Sequence, residues 1–256
     1  MFGSSMGYGK IASFYHKIFE RLDINTQIRA RIIFKELAII EKEKSDKVLD
    51  IGCGDGIFSI EPAKIGYSVV GVDLNVKSVN YAKYFSKRSE VKIDFLVDDA
   101  SHLPFANESF DIILCSEVLE HIKDDEGAIR EIERVLKQNG LLILTVPSDK
   151  ASSYLRHVRC GYSLYEISSK LTKSGINIIN KKIVSYPFRL GYKLSFLLFP
   201  FVYPFALILS FISNKENGLI IIARKMKRSF ENENRGKRRQ EIEVLNHENL
   251  YNLRKR

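Results

Sequence analysis

Val48-Leu49-Asp50-Ile51-Gly52-Cys53-Gly54-Asp55-Gly56 is an apolar run that ends in a loop with glycine at every second position. Val48, Leu49 and Ile51 suit a strand buried on both faces, and Gly52, Gly54 and Gly56 allow the positive φ and close backbone approach that side chains forbid. The apolar Ile57-Phe58-Ser59-Ile60 that follows starts a helix. A strand turning through glycines into a helix sits where an open α/β sheet binds its ligands.

A glycine turn by itself also has purely structural uses, so two further features carry the reading. The spacing is G-x-G-x-G rather than the G-x-G-x-x-G of dinucleotide binders, and Asp50 and Asp55 would oppose a pyrophosphate with like charge. A cationic, nucleotide-like ligand suits the loop better. Asp73 closes the next apolar run, Ser68-Val69-Val70-Gly71-Val72-Asp73, at about the separation, roughly 20 residues, at which a carboxylate meets ribose hydroxyls.

Outward from this loop the pattern alternates. Strands are expected at 47–52, 68–73, 91–97, 110–115 and 140–146, separated by helices near 57–65, 76–87 and 124–137, the signature of a doubly wound α/β domain with a parallel sheet. Gly140 is expected to end the third helix as a left-handed cap. Beyond Pro147 a helix over 162–174 capped by Gly175, a strand over 176–185 and a final strand over 218–223 are expected. Upstream, apolar positions from Ile11 to Phe19 and from Ile28 to Ile40 suit two amphipathic helices.

VLDIGCGDG, VVGVDLN, DDASHLPFANESFDIILCSEVLEHI and KQNGLLILTVPS, in that order over residues 48–148, resemble the successive motifs of the class I S-adenosylmethionine-dependent methyltransferases, particularly the ubiquinone and menaquinone biosynthesis branch. The resemblance implies a Rossmann-like sheet of seven strands whose last strand is antiparallel and inserts beside the sixth, with N-terminal lid helices over 1–45. It implies S-adenosyl-L-methionine as cofactor. Asp50, Gly52, Cys53, Gly54 and Gly56 would surround its methionine end, Asp73 would hold the ribose, Leu74 would pack on the adenine and Asp99 with Ala100 would reach the adenine edge. Ser116 and Glu117 would close the pocket after the fourth strand. Tyr8 and Tyr15 of the lid could approach the substrate, although packing accounts for single aromatics as well.

The 256 residues suffice for one such domain, placed here at 46–228, with additions. Of the net charge of +9, the stretch from Arg224 to the end carries 11 Lys and Arg against 5 Glu, a net +6, which leaves only +3 for the rest. Residues 229–256, with the basic cluster Arg235-Gly-Lys-Arg-Arg239, are expected to be a flexible, solvated tail, and nucleic-acid contact is the lesser reading. Cys53, Cys115 and Cys160 are odd in number and lack C-x-x-C spacing, which argues against a disulfide framework or a thiolate metal site and for a cytoplasmic setting. Residues 1–10 lack the apolar core of a secretory signal.

The departure from a minimal domain is an apolar insertion over 190–214, whose stretch Leu194 to Ser213 carries no charge and is about long enough for one bilayer crossing. A true span is the least reading, because a single crossing would leave the strand at 218–223 across the membrane from the sheet that the strand at 176–185 has already joined, and Pro200 and Pro204 favour two short arms. A hairpin dipping into one leaflet, which would make the protein peripheral at the inner face of the membrane, and a cap packed on the domain or on a second copy in a homodimer remain open.

Methyl transfer from a sulfonium is an in-line displacement, so the protein must align nucleophile and methyl carbon and exclude water, and a phenolic acceptor needs a proton acceptor besides. Glu117-Val118-Leu119-Glu120-His121 follows the fourth strand and supplies the catalytic candidates, His121 and Glu117. The same E-x-x-E-H pattern occurs in metal-dependent O-methyltransferases, and equally in metal-free relatives where it braces a loop; no metal is assigned. His157 and His102 are given no catalytic part. The expected substrate is a small-molecule or lipid-like acceptor, with a quinone precursor as the candidate; an RNA or protein acceptor, or a non-catalytic cofactor-binding module, are the alternatives.

Overall fold

The computed structural model describes residues 24–39, 46–150, 158–184 and 217–226. The chain divides into two compact units, Met1–Lys225 and Met226–Arg256, and of the second only Met226 is described. The expectations for Tyr8, Tyr15, His157, the insertion at 194–213 and the charged tail lie outside the described residues.

In chain order the elements are α1 (Ile24–Ile39), β1 (Lys47–Ile51), α2 (Ile57–Lys64), β2 (Ser68–Asp73), α3 (Val76–Arg88), β3 (Asp94–Val97), β4 (Phe110–Ser116), a 3₁₀ turn (Leu119–His121), α4 (Asp125–Val135), β5 (Leu136–Pro147), α5 (Leu164–Lys173), β6 (Ile176–Val184) and β7 (Gly218–Lys225). They form one seven-stranded sheet of order β3-β2-β1-β4-β5-β7-β6. β1 through β5 pair in parallel, whereas β7 lies antiparallel between β5 and β6. The sheet is therefore doubly wound with an antiparallel last strand, as expected.

Consecutive residues of the central strands feed opposite layers. Leu49, Ile113, Leu142 and Ile221 join Ile129 and Ile132 of α4 and Ile167 and Leu171 of α5 on one side. Val48, Ile112, Ile143 and Ile222 join Ala30, Ile33 and Leu37 of α1 and Phe58 of α2 on the other. Burial on both faces explains why these strands lack a polar alternation and appear in the sequence as apolar runs. The strand order reverses between β1 and β4, so the loops leaving their C-terminal ends diverge and open a crevice there.

Boundaries differ from expectation at β3, which begins at Asp94 rather than at 91, at α5, which spans Leu164–Lys173 rather than 162–174, and most of all at the end of α4. Helix α4 stops at Val135, Leu136 is already extended and the left-handed residue is Asn139 at φ 61°, so Gly140 caps no helix. The strand begins early because Leu136 pairs with Phe110, after which the register jumps and Leu141 stands opposite Ile112. The helix end is closed from a distant element instead: Lys225 Nζ, buried at the end of β7, donates to the carbonyls of Glu133 and Leu136 at 2.8 and 2.9 Å. A cation at a helix C-terminus meets both the unsatisfied carbonyls and the negative end of the dipole.

Candidate active site

β1 delivers the glycine loop to the crevice. Gly52, Gly54 and Gly56 all adopt left-handed backbone, at φ 69°, 55° and 87°. A Cβ on Gly52 would stand 2.3 Å from Val118 Cγ2, so this glycine lets the loop of β1 close against the loop of β4. The amides of Gly52 and Cys53 both donate to the Val72 carbonyl, at 2.7 and 3.0 Å, which fixes the loop on β2.

Asp73 ends β2 with its carboxylate already oriented: Gly54 N donates to one oxygen at 2.9 Å and Asn75 N to the other at 2.7 Å. Asn75 in turn caps α3 by accepting from the amides of Lys77 and Ser78. Leu74, beside them, is 72% exposed. Such a large apolar side chain at the rim of a crevice suits a platform for a flat ligand. From the end of β3, Asp98 N donates to the Asp73 carbonyl at 3.3 Å, and Asp99 orders the following turn by accepting from Ser101 N at 2.9 Å. Ala100 of that turn is partly buried against the main core.

Beneath the loop Asp50 is 1% exposed. It accepts a hydrogen bond from Ser59 Oγ, and its other oxygen has no hydrogen-bond partner. Burial pushes its pKa from 3.8 up to about 7 against the opposing effect of Ser59, with the charges of Asp73 and Asp55 adding to the rise. Asp55 is also raised, chiefly by burial. The close grouping of these acids suits a positively charged ligand. The thiols of Cys53 and Cys115 are pushed far up by burial and neighbouring carboxylates, which leaves them neutral packing groups.

β4 brings the second set. Ser116 Oγ lies 2.9 Å from Thr145 Oγ1 of β5. Glu117 follows at φ 56°, a left-handed conformation that costs a non-glycine residue of order 1 kcal/mol or more and tends to persist at functional sites. It is held by its amide on the Thr145 carbonyl at 3.0 Å, by the Thr145 hydroxyl on Oε1 at 3.1 Å and by Arg29 of α1 at 3.4 Å from Oε2. Glu120, 0% exposed, has both carboxylate oxygens without a hydrogen-bond partner, and burial, followed by the charge of Glu117, raises it to about 8. His121 is half exposed, with Nε2 4.0 Å from Glu120 Oε1. Among the described residues no three His, Cys, Asp or Glu side chains are grouped so as to hold a metal ion.

The crevice thus gathers Asp50, the glycine loop and Asp73 with Ser116 and Glu117, while His121 stands beside Glu120. Two participants were not singled out from the sequence. Thr145 had a legible signal, as the one hydroxyl inside Leu141-Leu-Ile-Leu-Thr145-Val-Pro147. Arg29 had none, since it sits on a helix some 88 residues before Glu117 in the chain.

Residues 49–144 match the family model described as a methyltransferase domain. A ubiquinone biosynthesis O-methyltransferase of Pelagibacter ubique is 37% identical over 112 residues, 44% of this chain and 46% of that protein. One of Rhizobium johnstonii is 32% identical over 157 residues, 55% of this chain and 63% of that protein. The chain spans about half the length of the curated relatives it matches. Among solved structures, the [4+2]-cyclase SpnF superposes with a TM-score of 0.63 at 21% identity over 78% of this chain and 82% of that one. An S-adenosylmethionine-dependent methyltransferase from Methanosarcina mazei gives 0.56 at 23% over 73% and 95%. These likenesses show the fold. The family match and the sequence relatives, for their part, mark residues 49–144 as a class I S-adenosylmethionine-dependent methyltransferase domain. Within that class its sequence relatives lie in the ubiquinone biosynthesis branch.

Proposed function

We propose that the protein transfers the methyl group of S-adenosylmethionine to a hydroxyl of a small or lipid-like acceptor, with a quinone precursor of catechol type as the candidate. The observation that carries this reading is the meeting, at one sheet crevice, of an acid-rich glycine loop with the oriented Glu117 that follows β4. The names of the similar ubiquinone biosynthesis O-methyltransferases support the choice of acceptor.

The cofactor would supply an electrophilic methyl carbon on a sulfonium centre. Asp73, preset by Gly54 and Asn75, is suited to receive two ribose hydroxyls, and Leu74 to cover the adenine, with Asp99 and Ala100 at its edge. Asp50 sits under the methionine end, with Gly52, Cys53, Gly54 and Gly56 forming the backbone cradle and Ser116 the facing wall. In the acceptor pocket Glu117, pinned by Thr145 and Arg29, orients the attacking hydroxyl. His121 takes its proton and returns it to solvent, a role that its half-exposed position beside Glu120 permits. Transfer would make the carbon–oxygen bond as the carbon–sulfur bond is broken, so the chain's own task is to align the hydroxyl and exclude water.

The test is incubation of the purified full chain with methyl-labelled cofactor and a catechol-type quinone precursor, followed by mass spectrometry. Label on the acceptor oxygen, reduced at least about a hundredfold in a His121→Ala variant, is expected. Label that instead appears only on RNA or protein of an added extract contradicts the proposal. Contact of 194–213 with the membrane, and a homodimer through the same segment, belong to this proposal; loss of vesicle flotation in a Phe201→Asp variant supports the first, and a monomer mass in solution contradicts the second. Among the described residues no helix is long and apolar enough to cross a membrane.

A further inference from the structure

Residues 98–109 join β3 to β4 and carry neither helix nor strand. In the sheet β2 and β1 lie between those two strands, and because all four run parallel the connection must also return from the C-terminal edge to the N-terminal edge. Such a segment cannot use the sheet for its backbone hydrogen bonds, so other groups must satisfy them. It starts at the rim of the crevice with Asp98, Asp99 and Ala100.

One pair of side chains on α4 supplies much of what the sheet cannot. Glu131 and Arg134 stand one helical turn apart and form a two-pronged ion pair, Nε to Oε1 at 2.7 Å and Nη2 to Oε2 at 2.8 Å. From this fixed position Arg134 donates to the Leu103 carbonyl at 2.9 Å, to the Phe105 carbonyl at 2.7 Å and to Asn107 Oδ1 at 3.0 Å. Glu131 Oε2 accepts from Leu103 N at 2.8 Å. Both backbone polar groups of Leu103 thus end on this pair, while its side chain is buried and Phe105 packs edge-on against Phe110. The hydrogen bonds of Arg134, then the Leu103 amide and the charges of Arg134 and His102, hold the Glu131 carboxyl below its usual value against burial, so the pair stays ionised at neutral pH.

Leu103 follows Ala100 by three residues, and the turn between them is closed on itself. Asp99 accepts from Ser101 N at 2.9 Å through its side chain and from His102 N at 3.0 Å through its carbonyl. A turn so closed moves as a unit, and where Leu103 is held sets where it stands. On its other side it is tied to β2 by the longer hydrogen bond from Asp98 N to the Asp73 carbonyl, at 3.3 Å. Given the proposed seat of the adenine beside Asp99 and Ala100, on which this inference rests, we propose that Glu131 and Arg134 are positioning residues for recognition of the cofactor's base. From the helix layer they fix the turn at the place where it meets the adenine edge. Helix α4 is itself held by Ile129, Ile132 and the Lys225 cap, so loss of Arg134 releases the turn and leaves the helix in place. The base is remote from the transferred methyl group, and the consequence is weaker and less selective cofactor binding, with KM raised and kcat unchanged.

The test is calorimetric titration of the full chain with S-adenosylhomocysteine and with S-inosylhomocysteine, which differ only at the edge of the base. The wild type is expected to prefer the adenine ligand by about tenfold, the worth of one well-made hydrogen bond. Arg134→Lys, which has no planar fork, and Arg134→Gln should each weaken the adenine ligand by about tenfold and leave the hypoxanthine ligand within about twofold, so that the preference collapses. Glu131→Gln, which keeps the contacts of the guanidinium with 103–107, should lose part of the preference, and Asp99→Ala should abolish it. A general loss of stability weakens both ligands alike and leaves their ratio unchanged. That result in the Arg134 variants, or in Glu131→Gln where those do not fold, overturns the proposal while a ratio lost in Asp99→Ala keeps the adenine seat standing. Equal binding of the two ligands by the wild type, or a ratio untouched by Asp99→Ala, overturns the adenine seat and the proposal with it.

Discussion

Asp50 shows how one side chain can be set against stability for the sake of a ligand. Its carboxyl is raised on folding from 3.8 to about 7, so it favours the folded, ligand-free protein below pH 4, and that contribution is lost as pH rises through about 7. At about 1.4 kcal/mol per pKa unit the loss amounts to a few kcal/mol. A cationic ligand reverses the balance, since it needs the ionised form. Affinity for S-adenosylmethionine is therefore expected to fall as pH drops below about 7, and Asp50→Asn should raise the melting temperature of the ligand-free protein at pH 8 while weakening binding at least about tenfold; scanning fluorimetry and calorimetry across pH measure both. A variant that melts lower at pH 8 would show that the buried charge is compensated. Gly52 gives a second residue-level expectation. Gly52→Ala combines φ 69° with a Cβ placed 2.3 Å from Val118 Cγ2, and should cost about 1–3 kcal/mol and most cofactor affinity. Adding Val118→Ala should recover the part due to crowding and leave the part due to φ.

At the level of elements, two long-range anchors hold the walls of the crevice. Lys225 of β7 closes the end of α4, and Lys225→Met is expected to lower stability by about 2–4 kcal/mol in urea titration, because it strips two carbonyls of a donor and removes the ion pair with Glu133 at 3.1 Å. Asp125, at the start of α4, is pulled below the usual carboxylate range although burial opposes it, by the hydrogen bonds of Lys170 and Tyr162 and the charges of Lys170 and Arg159. That contribution is present above pH 4 and is lost as pH falls through the lowered pKa. Tyr162→Phe, which removes the hydroxyl 2.8 Å from Asp125, should cost about 1–2 kcal/mol at pH 7 and less at pH 3. These anchors explain what the sequence could not convey. Strand identity was legible because burial on both faces leaves apolar runs such as Leu141 to Leu144, and α5 was legible from its period and from Gly175 at φ 84°. The end of α4 was not, since the glycine that suggested a cap lies within β5 and the group that caps the helix comes from a strand 89 residues away from Leu136.

For the molecule as a whole, the order of the sheet converts sequence motifs into a site. The glycine loop and E-x-x-E-H are separated by more than sixty residues, yet they meet because β1 and β4 are neighbours at the point where the winding reverses. The cofactor half of that site was readable from local signals, glycines and terminal carboxylates. Glu117's orientation was less so, because it depends on Thr145 and Arg29 from elements far along the chain. The shared fold does not fix the reaction, as the likeness to a [4+2]-cyclase illustrates. Binding of the methyl donor at the switch point is the claim on which the rest depends. Its most direct test is calorimetric titration of the full chain and of an Asp73→Ala variant with S-adenosylmethionine at pH 8. One site per chain, weakened at least about a hundredfold by loss of the two ribose hydrogen bonds, is the predicted result; no heat with the wild type, or equal affinity in the variant, would contradict it.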